Sequence, residues 1–128
     1  MKTRNLVFVV DDNEISLSLL SRQLSHLGTY EVKTFSDGKK MLRDLYLKPK
    51  AILLDYYLDS IDRHALNGKE IMEIMKTLYS KIPVIMFSIL DQPEKISELK
   101  GIGICDFVSK QENDFLGHIE KALKQAVC

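Results

Sequence analysis

Three aspartates stand where two apolar runs of the chain end. Asp11 and Asp12 follow the run Leu6–Val10, and Asp55 follows the run Ala51–Leu54. Short runs that are apolar at every position are typical of strands buried on both faces of a parallel sheet. The carboxyl ends of such strands meet at one edge of the sheet, where ligands bind, so we expect the three carboxylates to lie close together.

Two further strand-like runs end on groups that complement carboxylates. The run Ile82–Phe87 ends on Ser88, and the run Cys105–Ser109 ends on Lys110. Unit charges about 4 Å apart repel by roughly 4 kcal/mol at an effective dielectric constant near 20, so three converging carboxylates need a compensating cation. A set of oxygen ligands with open positions suits Mg²⁺, which prefers to share a phosphate with its protein ligands. With a lysine and a hydroxyl beside it, this set is suited to placing a phosphoryl group on Asp55.

Each of these residues also has an ordinary interpretation when it is taken alone. Asp11 and Asp12 could cap a helix. Asp55 could be a loop carboxylate, and Lys110 could be a surface lysine. Four strands that all end on complementary polar groups are improbable by chance, and the combination favours one common site.

The elements that must position these groups are strands that alternate with helices. A remaining strand-like run, Tyr30–Phe35, mixes aromatic and β-branched residues with charged ones and is predicted to be an edge strand. Apolar residues at helical spacing predict helices over the stretches 15–27, 41–46, 71–78, 93–99 and 115–126. Repeated strand–helix units of this length predict right-handed crossovers and an α/β fold, a doubly wound parallel sheet with helices on both faces.

Several details of the helices are specific predictions. The apolar face of the first helix is assigned to Ile15, Leu19, Leu20, Leu24 and Leu27. The second helix is expected to continue to Tyr46 and to end before Pro49. The fourth helix has a thin apolar stripe and is expected to be the least firmly anchored, and Asn113 is the expected cap of the last helix.

The composition describes one ordinary domain. With 128 residues, 45% hydrophobic and 28% charged, the chain can bury its own core, and a single domain over residues 1–128 is expected. Eighteen basic and eighteen acidic residues give a formal net charge of zero, so no general attraction to nucleic acid or to an anionic membrane is expected. No apolar run has the length of a membrane span, and no secretory signal precedes the first strand, which predicts a cytoplasmic protein.

The cysteines and histidines do not indicate a second site. Cys105 is expected to be a small core residue and Cys128 a terminal thiol, because their spacing fits neither a disulfide framework nor a metal site. His26, His64 and His118 share no metal-ligand spacing and are assigned ordinary surface roles.

Four motifs of the chain match those of a known family in order and near the family's spacing. They are Val9-Val10-Asp11-Asp12-Asn13, Ile52-Leu53-Leu54-Asp55, Met86-Phe87-Ser88 and Asp106-Phe107-Val108-Ser109-Lys110. On these motifs the chain resembles the receiver domain of two-component response regulators over essentially its whole length. The resemblance implies a flavodoxin-like (βα)5 fold with the strand order 2-1-3-4-5.

The resemblance implies a phosphoacceptor and its metal ligands. Asp55 would accept the phosphoryl group, and Asp12 would bind Mg²⁺ directly. Asp11 would bind the ion through water, and Tyr57 would offer its backbone carbonyl.

The resemblance also implies a switch and its partners. Ser88 would bond a phosphoryl oxygen and shift on phosphorylation, Lys110 would pair with the phosphoryl group, and Phe107 stands at the aromatic switch position. The phosphoryl group would come from a phosphohistidine on a sensor histidine kinase or a histidine phosphotransfer protein. Phosphorylation would alter the face made by the fourth helix, the last strand and the last helix, which would bind a downstream protein target. The chain would thus be a regulatory phosphoacceptor rather than an enzyme.

The chain departs from the family pattern around the expected phosphoacceptor. Asp59 stands where a proline is usual, and the loop 56–67 is several residues longer than in a typical receiver. Ile89 replaces a small residue after the conserved hydroxyl position and is expected to restrict access to the site. We hypothesise slow autodephosphorylation, because the bulky Tyr57 and Leu90 would exclude water without offering a base.

Three other functions can be weighed on the same residues. A pseudo-receiver, which binds partners without phosphorylation, is favoured by Ile89 and the long loop but opposed by the intact acidic set. A phosphohydrolase of the haloacid dehalogenase type needs an Asp-x-Asp motif, whereas Asp11 and Asp12 are adjacent. A flavodoxin needs a Ser/Thr-rich phosphate loop after Val10, where this chain has carboxylates.

Overall fold

The structure, a computed structural model, describes residues 5–59, 61–78, 80–89 and 92–127. Within these residues, parallel strands form one sheet: β1 (Asn5–Val10), β2 (Tyr30–Phe35), β3 (Ala51–Asp55), β4 (Val84–Ser88) and β5 (Asp106–Ser109). The helices are α1 (Glu14–His26), α2 (Gly38–Arg43), α3 (Gly68–Thr77), α4 (Pro93–Ile102) and α5 (Phe115–Val127). None of the helices in the described ranges has the length and apolar character required to cross a membrane.

The strand order is β2-β1-β3-β4-β5. This order confirms the predicted doubly wound α/β fold. Because β1 lies between β2 and β3, the order of the strands reverses beside β1, and a crevice opens at the carboxyl ends of β1 and β3. The fold therefore places Asp11, which follows β1, beside Asp55, which ends β3.

The core lies on both faces of the sheet, because successive side chains of a strand point to opposite faces. In β1, Phe8 and Val10 belong to one buried apolar cluster, whereas Val7 and Val9 belong to the other. The first cluster includes side chains of α2, α3 and α4, and the second includes side chains of α1 and α5. Every residue of β3 and β4 is buried, so packing on both faces fixes the positions of their ends.

The edge strand β2 and the helix α4 bury few residues, as predicted. In β2 the buried residues are the terminal Tyr30 and Phe35, as the mixed sequence of an edge strand predicts. In α4 the buried residue is Leu99, while Ile96 is half-buried. The thin apolar face of α4 gives this helix little contact with the core.

The buried face of α1 differs from the predicted one. The helix buries Leu20 and Leu24, as predicted, together with Leu17, which was not predicted. The predicted residues Ile15, Leu19 and Leu27 are instead 73%, 55% and 42% exposed. Both sets have helical spacing, so the sequence contains two apolar stripes and does not decide which one faces the sheet.

The helix α2 is shorter than predicted. It ends at Arg43, and a turn of 3₁₀ helix, Leu45–Leu47, takes the place of its expected last turn. Tyr46 is consequently 73% exposed instead of packing inward. Lys48, which precedes Pro49, ends this turn in the left-handed conformation with a φ of 55°, and its backbone N–H donates to the Leu45 carbonyl at 2.9 Å.

The helix α5 has a different cap from the predicted Asn113. The Asp114 carboxylate accepts the backbone N–H of Gly117 at 3.2 Å, and the Asp114 carbonyl accepts that of His118 at 3.0 Å. A Cβ on Gly117 would collide with the Asp114 carboxylate, so glycine leaves room for this cap. Aspartate and asparagine are equally good caps, and the sequence alone does not choose between neighbours.

The position of Cys105 corrects a further prediction. Cys105 is exposed, not a core residue, because β5 begins one residue later, at Asp106. Cys128 lies outside the described residues.

The loop between β3 and α3 returns to the point at which it leaves the sheet. The backbone N–H of Gly68 donates to the carbonyl of Tyr56 at 2.7 Å. A Cβ on Gly68 would lie 2.8 Å from the Tyr56 Cα and 3.0 Å from the Asp55 carbonyl oxygen, so only glycine fits here. Asn67 and Glu70 form a capping box at the start of α3, which fixes the exit of the loop.

Candidate functional site

A cleft of about 520 Å³ lies at the carboxyl edge of the sheet. Its lining residues are Asp11, Asp12, Asn13, Ser16, Asp55, Tyr57, Ile61, Ile89 and Lys110. The ends of β1, β3 and β5 supply the charged members of this set. The fold therefore brings together five of the residues that the sequence indicated as candidates.

Three carboxylates crowd together in the cleft. Oxygens of Asp11, Asp12 and Asp55 all lie within 4.8 Å of one another. Asp11 is 0% exposed and Asp55 is 4% exposed, whereas Asp12 is half-buried. Mutual repulsion at such distances makes the group a good ligand set for a hard divalent cation, which prefers oxygen donors.

Lys110 lies between two of these carboxylates. Its Nζ is 3.0 Å from Asp11 Oδ2 and 3.0 Å from Asp55 Oδ2. The ammonium also lies 5.0 Å from the centroid of the Phe87 ring, a cation–π distance. The backbone N–H of Lys110 donates to the carbonyl of Ser88 at 2.8 Å, which ties the end of β5 to the end of β4.

Burial and neighbouring charges set the protonation of the site. Burial raises the pKa of Asp55 to about 7; Lys110 opposes this rise, and Asp11 adds to it by repulsion. Burial works against the charged form of Lys110, but Asp55 and Asp11 outweigh it, so the pKa of Lys110 is raised above 10.5. At neutral pH the lysine is charged, whereas Asp55 is divided between its two forms. A bound cation would favour the ionised carboxylate.

Short turns orient the two buried carboxylates. Asp11 Oδ1 accepts the backbone N–H of Asn13 at 2.9 Å, and Asn13 in turn caps α1. Asp55 Oδ1 accepts the backbone N–H of Tyr57 at 3.3 Å. Each carboxylate thus has one oxygen on a backbone N–H and the other on Lys110.

Two of the candidate residues do not line the cleft. Ser88 is fully buried at the end of β4, the strand that pairs with β3. Phe107 is half-buried in β5, opposite Met86, and packs against the core cluster on the α3 and α4 side of the sheet. The serine therefore sits one strand away from Asp55, and the phenylalanine sits in the next strand beyond it.

The long loop supplies a wall residue that sequence reasoning missed. Ile61 lines the cleft and is 79% exposed. Ile89, which the sequence did single out, also lines it and is 57% exposed. The signal for Ile61 was a large apolar residue inside the polar stretch 59–64 of the loop, since exposed apolar residues near a site often mark binding. Leu90, which the dephosphorylation hypothesis pairs with Tyr57, lies outside the described residues.

The sequence of the chain is similar to those of known proteins. The family model of the response regulator receiver domain matches residues 7–122. A protein-glutamate methylesterase/protein-glutamine glutaminase of Clostridium acetobutylicum is 33% identical over 113 residues, which cover 85% of this chain and 31% of that protein. The alkaline phosphatase synthesis transcriptional regulatory protein PhoP of Bacillus subtilis is 31% identical over 106 residues, which cover 81% of this chain and 41% of that protein. The chain spans less than half the length of these curated relatives.

Solved structures share the fold. The chemotaxis response regulator CheY4 of Vibrio cholerae superposes with a TM-score of 0.77 at 25% identity, covering 94% of this chain and 99% of that one. The signal receiver domain of a putative LuxO repressor protein from Vibrio parahaemolyticus gives a TM-score of 0.78 at 22% identity, covering 97% of this chain and 93% of that one. At that identity the second comparison establishes the fold alone.

Proposed function

The chain belongs to the response regulator receiver domain family, and we propose that it is a phosphoacceptor switch of a two-component phosphorelay. In this role Asp55 takes a phosphoryl group from a phosphohistidine of a sensor histidine kinase or a histidine phosphotransfer protein. One observation carries the proposal: the buried Asp55 carboxylate lies 3.0 Å from the Lys110 ammonium and within 4.8 Å of two more carboxylates. A nucleophilic carboxylate placed beside a cation and a cation-binding set is suited to accept a phosphoryl group.

Asp11, Asp12 and Asp55, together with the backbone carbonyl of Tyr57, would hold Mg²⁺. Among the described residues, these aspartates are the group whose carboxylate oxygens converge closely enough for one ion. The four residues line the same cleft, and all four groups are oxygen donors, the donor chemistry that Mg²⁺ prefers. When bound, the ion would neutralise part of the charge that gathers on the phosphoryl oxygens.

In the transfer step an oxygen of the Asp55 carboxylate attacks the phosphorus of the phosphohistidine. The new O–P bond forms as the N–P bond breaks, and the bonding electrons leave with the imidazole, which takes up a proton from solvent. Asp55 must be ionised to attack, so the burial that raises its pKa to about 7 has to be offset by nearby positive charge. Lys110, at 3.0 Å from Asp55 Oδ2, is placed to stabilise the incoming phosphoryl oxygens.

Ser88 and Phe107 would convert phosphorylation into a change of surface. We propose that Ser88 bonds a phosphoryl oxygen and moves, that Phe107 follows, and that the face of α4, β5 and α5 changes for a downstream protein target. The hydrogen bond from the Lys110 N–H to the Ser88 carbonyl, 2.8 Å long, supports a link between the two strand ends. The weak anchoring of α4 through Leu99 supports a helix that can shift.

A protein donor is supported by exposed apolar side chains beside the cleft. Leu19 of α1 and Leu116 of α5 are 55% and 41% exposed and, with Lys110, line a depression of about 250 Å³. Ile15, on the same helix as Leu19, is 73% exposed. Apolar residues grouped next to a reactive carboxylate fit a partner that covers them while it delivers its phosphoryl group.

We further propose that residues 1–128 form one receiver domain that acts in the cytoplasm by protein contact. It would assist its own phosphorylation and dephosphorylation but would not otherwise be an enzyme. The formal net charge of zero supports action without direct binding of nucleic acid by this chain.

The proposal is tested by labelling the chain with acetyl phosphate. We expect Mg²⁺-dependent addition of one phosphoryl group, detected by intact mass and by a phosphate-affinity gel, and complete loss of labelling in Asp55→Asn. The matched control is Asp59→Asn, which removes a half-buried carboxylate of the adjacent loop and should label normally. A folded, Mg²⁺-binding wild-type chain that no phosphodonor labels would overturn the proposal and favour a pseudo-receiver.

The lifetime of the phosphoryl group is a separate part of the proposal. Tyr57 lines the cleft, and its bulk would exclude attacking water from the phosphorylated Asp55, as would Leu90. We expect faster phosphoryl decay in Tyr57→Asn and Leu90→Glu, measured after removal of the phosphodonor. Unchanged decay in both variants would assign these side chains to packing alone.

A further inference from the structure

Outside the cleft, one histidine joins β5 to α5. His118 Nδ1 lies 2.5 Å from Glu112 Oε1, and His118 Nε2 lies 3.2 Å from Asp106 Oδ2. Asp106 begins β5, Glu112 lies in the connection that follows it, and His118 is in the first turn of α5. We name these residues the helix bridge.

The contacts of both ring nitrogens define the charge of the ring. A neutral imidazole has one N–H donor and one bare nitrogen, and a bare nitrogen would face the lone pairs of a carboxylate. Because a carboxylate lies at each nitrogen of His118, both contacts are favourable only when the ring is an imidazolium. Loss of its proton therefore removes the ion pairs and leaves one of the two contacts without a donor hydrogen.

The helix bridge also holds the backbone next to it. Asp106 Oδ1 accepts the backbone N–H of Phe107 at 2.8 Å, while Asp106 Oδ2 faces His118. One carboxylate thus connects the peptide group of Phe107 to the first turn of α5. A displacement of this peptide group therefore disturbs either its hydrogen bond to Asp106 or the contact of Asp106 with the ring.

We propose that His118 is a positioning residue, which ties the backbone of Phe107 to α5 through a bridge that is complete only while the ring is protonated. The role of Phe107 as a switch residue rests on the proposed function. Movement of β5 against α5 is then harder in acid and easier in alkali. The proton acts on the same face that the phosphoryl group is proposed to change.

The charged groups around the ring favour its protonated form. A depression of about 440 Å³ beside the ring is lined by Asp106, Glu112, Asp114 and Lys121 among others. Partial burial disfavours the charged ring, but hydrogen bonds and attraction from Glu112 and Asp106 outweigh it, so the pKa of His118 is raised above 6.5. Asp114 adds a third carboxylate, and Lys121, from the next turn of α5, opposes them with one positive charge.

The bridge itself is tested without phosphorylation, by NMR of the wild-type chain between pH 5 and pH 9. We expect ring-nitrogen shifts that show two N–H groups on His118 at the acid end, and a Phe107 amide shift that follows the His118 titration. In Glu112→Gln the His118 midpoint should fall, whereas Glu120→Gln, a change of a half-buried carboxylate elsewhere on α5, should leave it in place. A Phe107 amide that titrates identically in His118→Gln would overturn the proposal.

The effect on the switch is tested by the acetyl phosphate concentration that half-labels Asp55 in the presence of Mg²⁺. The wild type and His118→Gln are compared at each pH. The ratio of their half-labelling concentrations then excludes the effect of pH on Asp55, which is the same in both chains. We expect the wild type to need about threefold more acetyl phosphate than the variant at pH 6, a factor typical of half-exposed ion pairs, and an equal amount at pH 9.

The two experiments separate the possible failures. If no chain is labelled at any pH, the proposed phosphoacceptor function fails while the NMR result still decides whether the bridge exists. If labelling succeeds and the ratio is the same at both pH values, the bridge does not act on the switch and the inference is wrong. His26→Gln, which changes an exposed histidine at the end of α1, should behave as the wild type in both experiments.

Discussion

Two regions of the molecule each hold one cation between two carboxylates. The buried one, which we name the cleft bridge, consists of Lys110 with its ammonium 3.0 Å from Asp11 and 3.0 Å from Asp55. There the two carboxylates are 0% and 5% exposed at their side chains. The half-exposed one is the helix bridge, in which the side chain of His118 is 34% exposed.

The difference in burial decides which member of each bridge responds to pH. In the cleft bridge, burial raises the pKa of Asp55 to about 7, while Lys110 stays charged, so the carboxylate is the group that titrates near neutrality. In the helix bridge the cation itself titrates, because its pKa is raised by the two carboxylates that face it. The same arrangement of charges would therefore serve the proposed metal and phosphoryl group in the cleft and the proposed response to protons in the helix bridge.

Removing the cation of the cleft bridge should have the largest effect. Lys110→Met keeps an unbranched apolar side chain beside Phe87 but leaves two buried carboxylates without their partner. We expect a loss of about 3 kcal/mol in the free energy of unfolding at pH 8 without Mg²⁺, as is typical when one partner of a buried ion pair is removed. Urea unfolding measures this change, and saturating Mg²⁺ should reverse part of it. A variant as stable as the wild type would mean that the cleft bridge is no more stabilising than the exposed one.

Removing one carboxylate of the same bridge should instead stabilise the metal-free protein. The pKa of Asp55 is raised from 3.8 to about 7, so stability contributed by its protonated form is complete below pH 3.8 and is lost as the pH rises toward 7. Asp55→Asn removes the cost of burying the ionised carboxylate, and we expect the free energy of unfolding to rise by on the order of 2 kcal/mol at pH 8 without Mg²⁺. Thermal unfolding with and without Mg²⁺ tests it, because only the wild type should then gain stability from the ion. Destabilisation of the metal-free variant would contradict the interpretation of the cleft as a crowded acidic site.

The cap of α5 gives a scale of stability on the helix that carries the helix bridge. Asp114 caps the helix that carries His118, and its carboxylate accepts the Gly117 N–H at 3.2 Å. We expect Asp114→Ala to cost about 1 kcal/mol of unfolding free energy, the usual value of a cap. Asn113→Ala, the change at the position that the sequence favoured, should be nearly neutral. Equal losses in the two variants would show that both residues share the cap.

Neutralising the helix bridge should have the smallest effect and the clearest pH dependence. The pKa of His118 is raised above 6.5 in the folded protein, so its stabilisation is complete below pH 6.5 and is lost as the pH rises through the folded pKa. We expect His118→Gln to lose roughly 0.5 kcal/mol at pH 6 and nothing at pH 9, as is usual for half-exposed ion pairs. Chemical unfolding of both chains at the two pH values measures this. A loss independent of pH would mean that the ring stabilises the protein by packing.

The fold and the charged part of the cleft follow from short apolar runs that end on polar residues. The run at 51–54 is apolar throughout and ends on Asp55, which is where the structure ends a fully buried strand. Because parallel strands place their carboxyl ends at one edge, the meeting of Asp11, Asp55 and Lys110 could be predicted before any distance was known.

The remaining features depend on tertiary contacts that local spacing does not encode. Leu17 and Leu19 are both leucines on the same helix, yet Leu17 is buried and Leu19 is 55% exposed. Ile61 reaches the cleft through an irregular loop without periodicity. His118 contacts Asp106 across the connection between β5 and α5, and no regular spacing predicts such a pair.

The hydrogen bond between Gly68 and Tyr56 closes the long loop at its base. Its two ends are held 2.7 Å apart, from N to O, directly after Asp55. The part of the loop around Ile61 can therefore change in length or sequence without moving the end of β3 that carries Asp55. Ile61 lies in this closed loop and lines the cleft. The loop can therefore change the shape of the cleft entrance while the charged groups of the cleft stay in place.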